Sequence, residues 1–207
     1  MLKTSMLGKL TAEATEAVEI IEKNTKRLEE LIVDIMDVRK LDIDKMKFSF
    51  ENLLLGDFFN TLDLDYKKVL GGKGIEFVTK LSCGNSTVNV DRIRLRQVFD
   101  NLVSNSIKYV PRENGVIEVG GYKDKSNVIL YVKDNGIGIP KDKQKDLFKK
   151  FYQVDTSERR ESGGTGLGLA ISKGIMEKMK GSIWIESDEK RGTTVFLQFS
   201  ANETKIS

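Results

Sequence analysis

Histidine is absent from the 207 residues, and the chain has only one cysteine and two prolines. Without an imidazole, Ser/His/Asp and Cys/His catalysis and every histidine-ligated metal site within the chain are excluded. The thiol of Cys83 has no second cysteine with which to form an internal disulfide. The 34 basic and 31 acidic residues nearly balance, to a net charge of +3. So weak a field gives no reason to expect a nucleic-acid partner.

Two further features are missing from the sequence: a signal-peptide pattern and an apolar run long enough to span a bilayer. We therefore expect a cytoplasmic location for these residues, while a longer parent protein could still be anchored in a membrane. A chain of 207 residues is long enough for one hydrophobic core with a smaller element appended to it.

A long amphipathic stretch runs from Thr11 to Lys47 without a glycine or proline, which predicts one helix with Thr11 as its N-cap. A helix of roughly 30 residues is about 45 Å long, too long for the surface of one small domain. Its apolar or small residues follow heptad steps: Ala14, Val18, Ile21, Thr25, Leu28, Ile32 and Ile35. The pattern favours a helical hairpin or the arm of a dimerising bundle over a core helix packed within one chain. Residues 1–10 would then be the stub of a preceding helix.

The rest of the chain alternates between strand-like and helical patterns. Strands are predicted at 48–55, 75–81, 87–90, 116–123, 127–133, 183–186 and 193–199, and helices up to residue 70 and at 91–109, 141–148 and 167–179. Two hairpins turn at 124–126 and around Gly192. This order predicts an α+β fold, in which a layer of helices lies on a mixed sheet and a helical arm precedes both.

The helix predicted at 91–109 carries two different stripes of side chains. Its packing stripe consists of Leu95, Val98, Leu102 and Ile107. Asn101, Asn105 and Lys108 lie three or four positions apart on another stripe. Because asparagine amides compete with the helical backbone for hydrogen bonds, we expect these side chains to have a further use. A solvated polar face is the alternative.

The strand predicted at 127–133 ends in Asp134, which is followed by Gly136 and Gly138. A carboxylate in this position can lie at the floor of a pocket, and the glycines would let the backbone approach a ligand closely. Asp134 could then accept a hydrogen bond from an exocyclic amine. An ordinary Asn-Gly turn is the alternative.

A second glycine cluster, at 163–169, opens the helix predicted at 167–179. Its exposed N–H groups and the helix N-terminus predict an anion site, with phosphate as the natural occupant. The spacing fits neither the P-loop nor the dinucleotide-binding motif. A flexible hinge is the alternative.

Taken in this order, the stretches resemble the catalytic ATP-binding domain of sensor histidine kinases, within the gyrase, Hsp90, histidine kinase and MutL (GHKL) ATPase group. The boxes of that domain are matched by residues 101–109 (N box), 134–138 (G1 box), Phe148 and Phe151 (F box), 164–169 (G2 box) and 192–194 (last glycine box). The long helix resembles the second helix of the dimerisation and histidine phosphotransfer domain. The resemblance covers nearly the whole chain. It implies a Bergerat-type two-layer α/β sandwich at 47–207, after a partial dimerisation region at 1–46.

The resemblance also implies ATP and Mg²⁺ as cofactors. Asn105 would hold Mg²⁺ through its side-chain oxygen, Lys108 would meet the phosphates, and Asp134 would bind the adenine amine. Residues 153–163 would form a mobile lid, in which Arg159 and Arg160 are either γ-phosphate contacts or part of a solvated loop. The implied nucleotide contacts are Asn101, Asn105, Lys108, Tyr109, Asp134, Gly136, Gly138, Ile139, Phe151, Arg159, Gly164, Thr165, Gly166, Leu167, Gly168, Leu169, Thr193 and Thr194.

One position indicates the reaction type. In the hydrolysing members of the group, a glutamate four residues before the metal-binding asparagine activates water, but this chain has Asn101 there. An amide cannot act as a base, so transfer to a protein side chain fits better than hydrolysis, with positioning and Mg²⁺ supplying most of the catalysis.

The family's phosphoacceptor is a histidine on the first dimerisation helix, and this chain has no histidine. We therefore expect a kinase fragment that needs a histidine-bearing dimerisation domain, that forms a homodimer in its parent protein, and whose product is relayed to a response regulator receiver domain. A natural short protein acting as a decoy or as the partner of another subunit is the alternative origin. Two other functions stay open: a protein-serine kinase of the anti-sigma type, and a nucleotide-sensing or dimerising module without catalysis.

Overall fold

The structure, a computed structural model, describes residues 11–154 and 164–200. The first element is helix α1 (Ala12–Asp42), whose N-cap is Thr11, as predicted: its hydroxyl oxygen accepts a hydrogen bond from the Ala14 N–H at 3.2 Å. The predicted continuation to residue 47 is wrong. The helix ends at Asp42, and Asp44 has a left-handed backbone with φ of 55°, which a right-handed helix cannot contain.

After α1, the described residues form two sheets and four more helices. In chain order the elements are β1 (Glu51–Leu54), α2 (Leu55–Gly71), β2 (Ile75–Leu81), β3 (Thr87–Val90), α3 (Arg92–Tyr109), β4 (Gly115–Asp124), β5 (Asn127–Asp134), α4 (Lys141–Gln144), α5 (Gly168–Lys178), β6 (Ser182–Asp188) and β7 (Gly192–Ser200). This succession agrees with the predicted one. The helical stub suggested at 1–10 lies outside the described part of the chain, and no helix within that part combines the length and hydrophobicity needed to cross a membrane.

Helix α4 is a single turn, so the helix predicted at 141–148 is too long. The N–H groups of Asp146 and Leu147 bond to carbonyl groups three residues earlier, at 3.3 and 3.4 Å. Such bonds belong to tight turns, whereas an α-helix bonds over four residues. The chain therefore approaches Phe148 through a series of turns.

The larger sheet has five strands in the order β2-β4-β5-β7-β6. Strands β2 and β4 are parallel, and the other neighbouring strands are antiparallel, so the sheet is mixed, as predicted. Strands β1 and β3 form a separate antiparallel pair. In the larger sheet, Asp134 at the end of β5 lies opposite Thr193 of β7.

The hydrophobic core lies between this sheet and the helices. Helix α2 contacts β2, α3 contacts β4 and β5, and α5 contacts β6. Phe58, Phe59 and Phe99 pack edge to face, with ring centroids 5.4 to 5.9 Å apart, the geometry that aromatic rings favour. Leu130 and Leu197 of the sheet are fully buried in the same core. The result is the predicted α+β fold, with helices in one layer and a mixed sheet in the other.

The C-terminal end of α1 is docked on this core. Leu41 packs against α5 at Gly174, where an added Cβ would lie 2.9 Å from the Leu41 Cδ1. The Gln97 side chain of α3 donates a hydrogen bond to the buried carboxylate of Asp37 at 2.7 Å. The predicted heptad stripe faces solvent instead: Ile21, Leu28, Ile32 and Ile35 are 47 to 63% exposed. The arm thus carries an apolar face without a partner among the described residues.

The carboxylate of Asp91 fixes the start of α3. Its Oδ1 accepts the Arg94 N–H at 2.9 Å, which is the predicted N-cap bond, and its Oδ2 accepts the Ser49 N–H at 2.7 Å. The residue is buried. One side chain therefore joins the first turn of α3 to the segment that leads into β1.

Replacing Asp91 by alanine should destabilise the fold by about 2 kcal/mol, because a lost N-cap costs about 1 kcal/mol and the lost hydrogen bond from the Ser49 N–H costs about 0.5–1.5 kcal/mol. Urea unfolding followed by circular dichroism measures the loss. Asp91→Asn is the matched variant, since its amide oxygen can still accept one of the two bonds, and it should lose less. Equal losses for the two variants would contradict this account.

Candidate functional site

A cavity of about 740 Å³ lies between α1, α3, α5 and the sheet, within the size range of small-molecule sites. Its wall includes most of the residues predicted to contact a nucleotide: Asn101, Asn105, Lys108, Tyr109, Asp134, Gly138, Ile139, Gly164, Thr165, Gly166, Gly168, Leu169 and Thr193. Apolar side chains that include Leu102, Leu147, Ile185 and Val195 line it as well. The fold therefore brings the N box, both glycine loops and the start of β7 to one place.

Asp134 lies on the wall of this cavity, held by hydrogen bonds from three elements. Its Oδ1 accepts the N–H groups of Gly136 at 2.9 Å and Thr193 at 3.2 Å, and its Oδ2 accepts the Ser106 hydroxyl at 3.0 Å. Ser106 was missed in the sequence, although its position four residues after the buried Leu102 places it on the packing face of α3.

Burial dominates the electrostatics of Asp134. Removal from water raises the pKa of its carboxyl above the ordinary value, and the hydrogen bonds from Gly136, Ser106 and Thr193 oppose that rise. A carboxylate has roughly four acceptor positions, and these bonds occupy three of them. Asp134 can thus accept one further hydrogen bond from a donor in the cavity.

The glycines after Asp134 approach other parts of the protein closely. A Cβ on Gly136 would lie 2.7 Å from the Tyr109 carbonyl oxygen. Gly138 has a left-handed φ of 68°, and a Cβ there would lie 1.9 Å from the carbonyl oxygen of Asp188. These glycines let the loop pack against the end of α3 and the β6–β7 turn, and Gly136 is not part of the cavity wall.

Side chains from outside the predicted boxes brace the same loop. The Ile139 N–H donates to the Ser187 hydroxyl oxygen at 2.9 Å, and this hydroxyl lies 2.9 Å from that of Thr193. The Gln144 amide donates to the carbonyl groups of Ile139 at 2.8 Å and Ser187 at 2.7 Å. No local pattern marked Ser187, because its contacts with Ile139 and Gln144 join residues 43 to 48 positions apart in the chain.

Polar side chains make up another part of the cavity wall. The Lys108 Nζ lies 3.9 Å from the position that a Cβ would take on Gly164. Asn105 is on the cavity wall, and its side chain has no hydrogen-bond partner among the described residues. The Thr165 hydroxyl accepts the Leu167 N–H at 3.1 Å and donates to the Asp34 carboxylate of α1 at 2.7 Å. Residues 11–154 and 164–200 contain no cluster of three acidic or sulfur ligands for a metal.

Asn101 has a structural contact in addition to its place on the cavity wall. Its side-chain amide donates to the carbonyl oxygen of Gly168 at 3.3 Å and lies 3.5 Å from the hydroxyl of the buried Ser172. The side chain therefore ties α3 to the first turn of α5.

Besides Gly136, three predicted contacts within the described residues are not brought to this cavity. Phe151 and Leu167 line a separate space of about 190 Å³ beside the end of α1. Thr193 is opposite Asp134 in the sheet, so strand alternation turns Thr194 to the other face, opposite Lys133. Arg159, with Arg160 and most of the proposed lid, lies outside the described residues.

The fold and the cavity define a nucleotide-binding class of α+β domain, and the sequence matches the family described as histidine kinase-, DNA gyrase B-, and HSP90-like ATPase over residues 90–203. This match covers more than half of the chain, which therefore belongs to that ATPase family. The family and the fold class expected from the sequence boxes are confirmed.

Within that family, the chain is similar to sensor histidine kinases. The chain is 34% identical over 178 residues to the sensor histidine kinase WalK of Bacillus subtilis, an alignment that covers 85% of this chain and 29% of WalK. Its fold is similar to that of full-length ShkA in complex with AMPPNP, with a TM-score of 0.77 and 24% identity over 94% of this chain and 40% of ShkA. It is also similar to histidine kinase ThkA in complex with the response regulator protein TrrA, with a TM-score of 0.74 and 21% identity over 99% of this chain and 56% of that one. The chain thus spans less than a third of WalK.

Gly138→Ala should destabilise the fold by about 2 kcal/mol or more, because a left-handed backbone costs an L-residue about 1–2 kcal/mol and the new methyl group would overlap the Asp188 carbonyl. Gly71→Ala is the matched control: an added Cβ at the end of α2 meets nothing within 4 Å, so alanine should be neutral or stabilise by up to about 1 kcal/mol. Urea unfolding measures both variants. A Gly138→Ala protein as stable as the wild type would exclude the close packing of loop and hairpin turn.

Proposed function

We propose that this chain is the ATP-binding catalytic core of a sensor histidine kinase, and that it transfers the γ-phosphate of ATP to a histidine outside these 207 residues. The single observation that carries the proposal is the convergence on one cavity of a buried carboxylate, Asp134, with Asn105, Lys108 and the glycine loop that opens α5. An acceptor at one end and cationic and amide groups at the other match the two ends of a nucleotide. Membership of the ATPase family supports this reading.

The adenine end of the proposed site is Asp134. Its remaining acceptor position suits the exocyclic amine of adenine, and the apolar wall formed by Leu102, Ile185 and Val195 suits the flat base. Guanine carries a carbonyl oxygen where adenine carries that amine, and a carboxylate would repel it. The site is therefore expected to select adenine nucleotides.

The phosphate end is the region of Asn105, Lys108 and the glycine loop at 164–168. Lys108 supplies a positive charge, and the first turn of α5 presents unpaired N–H groups and the positive end of the helix dipole. Mg²⁺ keeps several waters and binds substrate phosphate oxygens, so one protein ligand, the Asn105 side-chain oxygen, suffices to place it. Mg²⁺ would neutralise phosphate charge during transfer.

Phosphoryl transfer is favoured over hydrolysis by the amide at Asn101. The Asn101 amide donates a hydrogen bond to the Gly168 carbonyl oxygen and so joins α3 to α5. An amide has no basic group with which to activate water. The protein's contribution would then be to hold the nucleotide in place and to stabilise its charge.

Helix α1 would bring the acceptor histidine to the site by packing against the helix that carries it. The exposed stripe of Ile21, Leu28, Ile32 and Ile35 suits packing in a helical bundle, and we propose that it pairs with a histidine-bearing dimerisation helix, in a homodimer of the parent protein. A response regulator receiver domain would be the next acceptor; the similarity to ThkA, whose structure is a complex with a response regulator protein, supports that kind of partner. The division into 1–46 and 47–207, and a cytoplasmic location, stay predictions.

Nucleotide binding can be tested by calorimetric titration with a non-hydrolysable ATP analogue, with and without Mg²⁺. We expect saturable binding that weakens when Mg²⁺ is removed. Asn105→Ala should bind the analogue in Mg²⁺ no better than the wild type binds it without Mg²⁺. Asp134→Asn should weaken binding by about tenfold or more, the equivalent of about 1.4 kcal/mol, because its amide presents a donor to the adenine amine.

The matched control for these variants is Asp100→Asn. Asp100 is an exposed carboxylate on the same helix as Asn105, and it accepts hydrogen bonds from the Arg96 guanidinium at 2.7 Å and from the Tyr66 hydroxyl. It is not part of the cavity wall, so this variant should bind the analogue as the wild type does. Binding that is indifferent to Mg²⁺, Asn105 and Asp134 would overturn the proposed site.

Phosphoryl transfer can be tested by adding a histidine-bearing dimerisation domain of a sensor histidine kinase to the chain with Mg²⁺ and γ-labelled ATP. The chain alone should retain no label on histidine, because it has none; the added domain should gain an acid-labile phosphoramidate. Asn105→Ala should still bind the added domain but lose transfer.

The linkage of the label distinguishes the alternatives. An acid-stable phosphoester on a protein hydroxyl would favour a serine kinase of the anti-sigma type. Nucleotide binding with no transfer to any supplied domain would favour a nucleotide-sensing module and contradict the kinase proposal.

A further inference from the structure

Helix α1 has a second, polar stripe, which faces the cavity. Arg27, Glu30 and Asp34 follow each other at steps of three and four, and Lys23 precedes them by one more turn. All four line the same cavity as Asn105 and Lys108. The arm therefore forms part of the wall at the end where the nucleotide phosphates are proposed to lie.

Asp34 makes the direct contact between this stripe and the glycine loop. Its carboxylate Oδ2 accepts the Thr165 hydroxyl at 2.7 Å, and the same hydroxyl accepts the Leu167 N–H at 3.1 Å. The positive charge of Lys108, close to Gly164, stabilises the carboxylate of Asp34. The side chain thus brings a negative charge to a loop, a helix N-terminus and a lysine that together suit an anion.

The surroundings of Asp34 are unfavourable for a second anion. Partial burial raises the pKa of its carboxyl above the ordinary value, the Thr165 bond opposes the rise, and the nearby charges of Asp37 and Glu30 add to it. The charged form of Asp34 is stabilised chiefly by the Thr165 hydrogen bond and the positive charge of Lys108. A phosphate placed against the same loop would add negative charge beside it and compete for both groups.

We propose that Asp34 competes with the terminal phosphates of the nucleotide for the glycine loop. Docking of α1 would then lower the affinity for a nucleotide more strongly the more phosphates the nucleotide carries. The inference rests on the proposed nucleotide site. AMP would leave the Asp34 contact in place, ADP would disturb it partly, and ATP would disturb it most. By thermodynamic reciprocity, ATP would weaken the docking of α1 by the factor by which docked α1 weakens ATP.

Asp34→Asn is the informative variant, because its amide oxygen can still accept the Thr165 hydroxyl while the negative charge is removed. Asp37→Asn is the matched control. Asp37 lies one turn further along α1 and accepts from Gln97, a bond that the amide oxygen of asparagine can keep, so its replacement tests whether removing a negative charge from the arm away from the glycine loop changes nucleotide affinity.

The experiment is calorimetric titration of the wild type and both variants with AMP, ADP and a non-hydrolysable ATP analogue, all in Mg²⁺. Asp34→Asn should bind the analogue about tenfold more tightly than the wild type, within the usual range of coupling between sites. It should bind ADP with a smaller gain and AMP as the wild type does. Asp37→Asn should show the wild-type ratio of affinities for the three ligands.

The outcomes separate the inference from the function on which it rests. If the wild type binds the analogue and Asp34→Asn shows no gain that grows with phosphate number, the inference is overturned and the nucleotide site stands. An equal gain for AMP, ADP and the analogue would assign the effect to arm loosening and would also overturn it. If the wild type binds none of the three, the proposed function fails and the inference with it. Circular dichroism and thermal unfolding confirm that each variant is folded, and Asp34→Ala, tested in parallel, should show the same order of gains.

Discussion

A negative charge held away from water is the constraint on which the rest of this site depends. A buried carboxylate is stable only when donors surround it, and the donors to Asp134 come from α3, from the loop after β5 and from β7. Three elements that are distant in the chain must therefore meet at one side chain. Their meeting point is one wall of the cavity, so the arrangement that keeps Asp134 stable also gives the cavity its shape.

Glycines lie close to Asp134 because the backbone segments around it are too close together for a side chain. The β5–α4 loop lies directly on the β6–β7 turn, where Gly138 contacts Asp188 and Gly192 approaches the carbonyl group of Asp134. The Lys190 N–H also donates to the Ile137 carbonyl oxygen at 2.8 Å. These glycines permit close contacts within the protein that support the cavity wall. A rigid wall suits a base that is recognised by one carboxylate, because a small displacement would break that hydrogen bond.

Local signals account for what the sequence could predict. The N-caps Thr11 and Asp91 and the order of strands and helices depend on residues a few positions apart, and the ordered boxes carried the family and the fold class. The helix ends at Asp42 and Gln144 were not predicted, because the residues that follow them suit a helix by composition but form a left-handed residue at Asp44 and tight turns after Gln144. The partners Ser106–Asp134, Ile139–Ser187 and Asp34–Thr165 are 28, 48 and 131 residues apart, and no pattern within one element reports contacts over such distances.

Helix α1 carries two different surfaces. Its apolar stripe is exposed, and its polar stripe contacts the glycine loop through Asp34. Because both stripes belong to one helix of 31 residues, a rotation or displacement that improves packing on one face must change the contacts of the other. Beyond the helix, Asp44 pairs with Lys178 of α5 and Met46 is buried in the core, so this end of α1 is held against the domain. A bundle partner and a nucleotide would therefore influence each other through the position of α1, even though neither would contact the other's residues.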